Sequence, residues 1–163
     1  MRRTNVKTIE EHSAGGVLFR PKEGGYEACL ILVRSPRGRF RWQLPKGHVE
    51  REELAKEAAA REILEETGCQ GKVVADLGNC EFSYTRRAID GWRRVKKRVD
   101  FFLLSYESGS VHDHDNEVEQ ALFVNAREAE RLLAFDSEKD AMRRALEILE
   151  DGGMRKWDPP PRK

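Results

Sequence analysis

The run from Gly47 to Cys69, GHVEREELAKEAAAREILEETGC, limits what this chain can be more than any other stretch. Leu54, Ala55, Ala58, Ala59, Ile63 and Leu64 recur at helical spacing. Its Ala, Glu, Leu and Lys favour helix, and no internal proline interrupts it. Gly68 supplies the left-handed stop. A loop leaving Gly47 therefore becomes a helix that ends at Gly68. On that helix Glu62 is three residues before Glu65 and four before Glu66, so the three carboxylates share one face. Such groups repel unless positive charge stands among them. A hard divalent cation such as Mg²⁺, which takes oxygen ligands, suits them. A solvated helix with Lys56 and Arg61 as ion-pair partners is the plainer alternative.

The spacing favours the first reading. The stretch has the form G-x5-E-x7-R-E-x2-E-E-x-G, with Ile63 in the apolar slot and the small Cys69 where a larger aliphatic is usual. It resembles the Nudix box, the signature of the Nudix hydrolases. The resemblance implies an α+β fold: an α/β/α sandwich with a mixed sheet core and a C-terminal helix. It also implies attack of water on a diphosphate bridge, with Mg²⁺ or Mn²⁺ on the box. By position, Gly47, Glu62, Glu65 and Glu66 match metal ligands, Glu53 a bracing residue and Arg61 the arginine that orients the carboxylates. Arg61 could equally pair with Glu57 or Glu65 and have no catalytic part.

The rest of the chain fits one domain. Lys and Arg number 30 against 29 Asp and Glu, a net charge of +1, so the sum points to neither nucleic acid nor membrane. Cys29, Cys69 and Cys80 form no metal-type pair, and an odd count without a signal peptide argues against a disulfide framework. No apolar run could span a membrane. These features lead us to expect a cytoplasmic protein, its domain at residues 12–151, a loose lead-in at 1–11 and a disordered tail at 152–163. Two strands, at Ser13–Arg20 and Tyr26–Val33, should pair as a hairpin, with Gly15-Gly16 marking a close backbone approach. Lys72–Thr85 and Val95–Tyr106 should be strands joined by a turn at Arg86–Arg94. A short strand at Ala121–Val124 and helices at Ala126–Leu133 and Ser137–Leu149 follow.

Two further groups bear on chemistry. Glu117 and Glu119 close an acidic segment, Val111–Glu119, where several Nudix enzymes place an extra metal ligand or general base; alternation puts both on one side and leaves the choice open. His112 and His114 alternate with Asp113 and Asp115 in that segment; they could hold a metal but read first as a solvated polar loop. Arg86, Arg87, Arg93, Arg94, Lys96, Lys97 and Arg98 crowd together with Asp90 the single acid among them. They form either a solvated edge or a phosphate clamp. Lys97 begins a K-x-V-x-F-F-L strand, and Lys46 and His48 flank Gly47 in LPKGHVE. Both resemble Nudix hydrolases of diadenosine polyphosphates and inositol pyrophosphates. Tyr84 and Trp92 could stack on a base. The expected substrate is a phosphate-rich small molecule, a dinucleoside polyphosphate first, with Lys46, His48, Tyr84, Arg86, Arg94 and Lys97 binding it. Nucleoside triphosphates, inositol pyrophosphates, an RNA 5′ end, or a non-catalytic binding module are the alternatives.

Overall fold

The computed structural model describes residues 6–150. Strands β1 (Lys7–Lys22), β2 (Gly25–Arg34), β3 (Phe40–Gln43) and β4 (Lys46–His48) precede helix α1 (Ala55–Thr67). Strands β5 (Cys69–Ala88), β6 (Gly91–Gly109) and β7 (Gln120–Asn125) follow, then helices α2 (Ala126–Leu132) and α3 (Asp136–Glu150). The sheet order is β3-β2-β1-β6-β5, with β4 added to β1 and β7 to β2. Only β1–β6 is parallel among these pairings, so the sheet is mixed.

Alternation along β6 builds the two layers. Val99, Phe101 and Leu103 face a core closed by Ala141, Met142, Ala145 and Leu149 of α3. Leu104 faces the opposite core, where Leu18 and Ile63 of α1 meet, and Phe102 packs on Ala14, Ala58 and Ala59. The three fully buried alanines let α1 lie close to β1. The result is the expected α/β/α sandwich. Gly15 and Gly16 do mark close backbone approach: a side chain at either would strike Pro45–Lys46 or Phe102.

Several boundaries differ from the sequence reading. The loose lead-in is replaced from Lys7 onward by the start of β1, which pairs in register with Arg93 of β6. Its mixed polarity is explained across the strands, since Glu11 meets Arg86 at 3.0 Å and Lys97 at 3.7 Å. The remainder of the lead-in, residues 1–5, and the expected tail lie outside the described residues. The turn expected over Arg86–Arg94 narrows to Ile89–Asp90, because β5 and β6 continue as a long ribbon. Helix α1 starts at Ala55, and Leu54 and Leu64 are exposed rather than part of its buried stripe. Its end is as expected: Gly68 has φ 76° and returns its N–H to the Leu64 carbonyl at 2.9 Å.

The loop before α1 holds one strained residue. Glu52 has φ 67°, a left-handed conformation in which a side chain is unfavourable. Glu52→Gly should raise stability by about 0.5–1 kcal/mol, readable as a higher midpoint in urea at unchanged slope. A lower midpoint would show that the Glu52 side chain itself stabilises the loop.

Candidate active site

The site forms where β4 passes the exposed side of α1. Gly47 is antiparallel to Ala14 and presses on Glu62; a Cβ at Gly47 would collide with the Glu62 carboxylate. One residue earlier, the Lys46 backbone N–H donates to Glu66 Oε2 at 3.0 Å. Glycine at 47 thus lets Glu62 approach the loop backbone, beside the Lys46 amide that meets Glu66.

Arg61 is the hub. Its Nε and Nη2 donate to both Glu53 oxygens at 2.8 and 2.9 Å, a bidentate pair. Its Nη2 also donates to the His48 carbonyl at 2.9 Å, and Nη1 reaches Glu62 at 2.8 Å and Glu65 at 3.4 Å. Glu57, the other sequence candidate, is not among these partners. The guanidinium holds the Glu53 carboxyl far down, at about 2, aided by the Glu50 N–H.

Glu62 and Glu66 shift the other way from Glu53. Burial pushes the Glu62 carboxyl up; Arg61 opposes this, while Glu65 and Glu117 add to it. Burial pushes Glu66 up to about 8; the Lys46 N–H opposes, and Glu62 and Asp115 add repulsion. The two are half-buried acids resisting ionisation beside one another.

The carboxylates share a face as expected but do not form a ready cage. Among the described residues, no three or more His, Cys, Asp or Glu groups are placed to hold a metal as they stand. Arg61 lies between Glu62 and Glu65, and Glu66 is turned to Lys46. The donor chemistry nevertheless fits a hard cation: these are oxygen ligands whose mutual repulsion a divalent charge would relieve.

The acidic segment arrives as a single 3₁₀ turn, Val111–Asp113, followed by loop. Asp115 donates its N–H to the Glu65 carbonyl at 3.1 Å and accepts the Glu117 N–H at 3.1 Å. This carries Glu117 within electrostatic reach of Glu62. Glu119 is fastened by its N–H to Leu32 O at 2.9 Å. The part Asp115 plays in this loop path is not legible in the sequence, where it stands only as one member of an alternating His–Asp run.

The basic ribbon is divided between two faces. Register places Arg86, Arg93 and Lys97 on the same face as Tyr84 and Phe82, and Arg87, Arg94, Lys96 and Arg98 on the other. On the first face Lys97 donates to Ser13 Oγ at 2.6 Å, and its ammonium pKa is lowered by burial and by neighbouring Lys46. Tyr84 donates to Glu11 at 3.3 Å and stacks on Phe82 with ring centroids 6.2 Å apart. Lys97, Arg86 and Tyr84 are therefore brought together around Glu11, with Lys46 within electrostatic reach of Lys97, whereas Arg94 is on the opposite face. His48 contributes its carbonyl to Arg61.

A sheet that presents a glycine loop and a carboxylate-bearing helix around one arginine defines a class of fold and site. The NUDIX domain model matches residues 11–146, and the chain belongs to that family. A Mycobacterium tuberculosis (strain CDC 1551 / Oshkosh) protein named as mutator protein MutT4 is 37% identical over 150 residues. The match takes in 90% of this chain and 59% of that relative, so the chain spans about three-fifths of its length. Bos taurus diphosphoinositol polyphosphate phosphohydrolase 3-beta is 43% identical over 58 residues, 36% of this chain and 35% of its own. The solved Ap4A hydrolase of C. elegans, as a binary complex, shares the fold at TM-score 0.58 and 18% identity, covering 86% of this chain and 98% of that one. The NUDIX domain of Shewanella oneidensis NrtR, complexed with ADP ribose, does so at TM-score 0.62 and 19% identity, covering 86% and 89%. No helix among the described residues is long and apolar enough to cross a membrane.

Proposed function

We propose that this chain is a Mg²⁺-dependent, or Mn²⁺-dependent, hydrolase that cleaves a diphosphate linkage in a nucleotide-type substrate, a dinucleoside polyphosphate first. One observation carries the reading: Glu62 and Glu66 are half-buried carboxylates pushed up by burial, with Glu117 adding repulsion to Glu62, Asp115 adding it to Glu66, and Arg61 the cation on Glu62. Such a site gains most from a divalent cation. Glu62, Glu65, Glu66 and the Gly47 carbonyl would hold it. When bound, it would neutralise diphosphate charge and lower the pKa of an attacking water. Glu53 braces Arg61, and Arg61 orients Glu62 and Glu65. Lys46, Lys97 and Arg86 meet phosphate charge beyond the metal's reach, with His48 at the loop edge, and the exposed Phe82–Tyr84 pair offers a stacking surface for a base. Arg94 is dropped from the clamp, since it lies on the opposite face from Lys97. A reducing, cytoplasmic setting suits the three free cysteines.

The dinucleoside substrate is favoured because Lys46 and Lys97 lie within electrostatic reach of one another, and because a similar fold carries the name Ap4A hydrolase. The test is a panel of dinucleoside polyphosphates, nucleoside triphosphates, ADP-ribose, inositol pyrophosphate and 5′-triphosphorylated RNA, each with Mg²⁺ and with Mn²⁺. Products are scored by which phosphate groups appear. Hydrolysis fastest on the dinucleoside polyphosphate supports the proposal, and no cation-dependent cleavage of any member overturns it.

The same assay separates the two downstream glutamates. Glu117→Gln should lower kcat about 100-fold if Glu117 moves the proton of the attacking water, within the usual range for general bases. Glu119→Gln should cost less than about threefold, as expected of a surface change away from the chemistry. Equal mild losses would place the base in the box.

A further inference from the structure

Glu138 lies in the first turn of α3 and is 2% exposed. A carboxylate is rarely withdrawn so far from water unless donors meet its oxygens. Here Oε1 accepts the Leu44 backbone N–H at 2.5 Å, and Oε2 accepts the Lys46 ammonium at 2.7 Å. Both donors belong to the short segment that leads from β3 into the site. That segment is fastened at two more points. The Gly16 N–H donates to the Pro45 carbonyl at 3.1 Å, and the Lys46 N–H donates to Glu66 at 3.0 Å. The loop thus hangs from α3, β1 and α1. Lys46 joins two of these anchors, its side chain on Glu138 and its own backbone on Glu66.

We infer that Glu138 is a positioning residue: from α3 it holds Leu44 and Lys46 so that the Lys46 amide stays on Glu66 and Gly47 stays against Glu62, the metal-free arrangement that keeps both carboxylates at the loop where a divalent cation would draw them together. The inference rests on the metal reading of Glu62 and Glu66 given above. It also gives Lys46 a second part. With its ammonium engaged on the α3 side, Lys46 anchors the loop in the metal-free protein, apart from any contact it makes with phosphate. If Glu138 merely satisfied the core, its loss would lower stability and leave the site's geometry unmoved.

Two readouts separate these cases in purified wild type and Glu138→Gln: Mn²⁺ affinity by electron paramagnetic resonance, and hydrogen exchange of the Leu44 and Lys46 amides without metal. Glutamine keeps the size but only one acceptor, so its NH2 group must face either the Leu44 N–H or the Lys46 ammonium. The folded variant should bind Mn²⁺ about tenfold more weakly, the usual scale for residues that orient metal ligands. Its Lys46 amide should exchange about tenfold faster. Mn²⁺ affinity within about twofold of wild type, with unchanged exchange at Lys46, overturns the inference on that same scale. Should Glu138→Gln not fold, Glu138→Asp decides by the same readouts: it keeps the charge but, a methylene shorter, cannot reach both donors. Wild type that binds no Mn²⁺ would refute the metal reading alone, and amide exchange would still decide whether Glu138 holds the loop.

Discussion

Glu66→Gln should lower cation-dependent turnover by about 100-fold or more and yet stabilise the metal-free protein at alkaline pH. The first effect follows from removing a charged oxygen ligand where the metal would supply several kcal/mol of charge stabilisation. The second follows from the acid's displaced titration. Its folded value, about 8, lies above its ordinary 4.5. The folded state therefore holds this proton more tightly than the unfolded state does. The stability so gained is fully present below pH 4.5 and is lost as pH rises from 4.5 through 8. Glutamine cannot ionise, so the variant escapes that loss. Without metal, the two proteins should differ little at pH 4, and the variant should lead by about 2 kcal/mol at pH 8 or above, allowing for partial exposure. Saturating Mg²⁺ should reverse the order, because it stabilises the form that binds it. Denaturant midpoints at pH 4 and 8.5, with chelator and with Mg²⁺, check all three signs. A variant less stable than wild type at pH 8.5 in chelator would show that Glu66 serves the fold as an anion, through the Lys46 amide, and would remove the argument for a cation there.

What the sequence showed of this site, and what it hid, divides by the range of the interaction involved. The helix, its glycine stop and the shared face of Glu62, Glu65 and Glu66 depend on spacing within a few turns, which is written in the residue order. Strand alternation was also legible: the two apolar faces of β6 are the two cores. The tip of the basic ribbon, Arg86–Arg94, reads as a wide turn in the sequence because its charges look like loop, while Lys96, Lys97 and Arg98 fall in the strand as expected. Those charges are met across strands, as when Glu11 receives both Arg86 and Lys97, and no local pattern reveals a partner so distant in sequence. Splitting the cluster between two faces needs the register, which begins at the Ala88–Gly91 pair. Glu117 and Glu119 were inseparable by period two; only the loop path through Asp115 turns Glu117 toward Glu62. Glu138 was invisible for a stronger reason. It is one acid in a helix rich in them, and its burial is decided by Leu44 and Lys46 arriving from the other end of the chain.

Arg61→Met should be the most destabilising single change at the site, and the loss should depend on pH and on metal. The guanidinium is bonded to Glu53 twice, to Glu62, and to the His48 carbonyl. Glu53 and Glu62 side chains are each 14% exposed, so removing Arg61 leaves two poorly solvated anions without a counter-ion. Breaking a fully buried pair costs about 3–5 kcal/mol; partial exposure here reduces that to about 2–3 kcal/mol. The midpoint of thermal unfolding should fall by about 5–10 °C for a domain of this size. Arg61→Lys should lose less, because the charge remains while the fork that meets Glu53 with two bonds does not. The acid limb tests the assignment directly. Arg61 holds Glu53 at about 2, below its ordinary 4.5, so its contribution is present above pH 4.5 and is lost as pH falls from 4.5 towards 2. The gap between wild type and Arg61→Met should therefore be widest near neutral pH and shrink through that window. Added Mg²⁺ should narrow it from the other side, since a divalent cation among Glu62, Glu65 and Glu66 replaces part of the missing charge. A gap that stays constant from pH 7 to 2.5, and ignores Mg²⁺, would mean that Arg61 supports the fold by packing alone and that the carboxylates around it do not act as one charged unit.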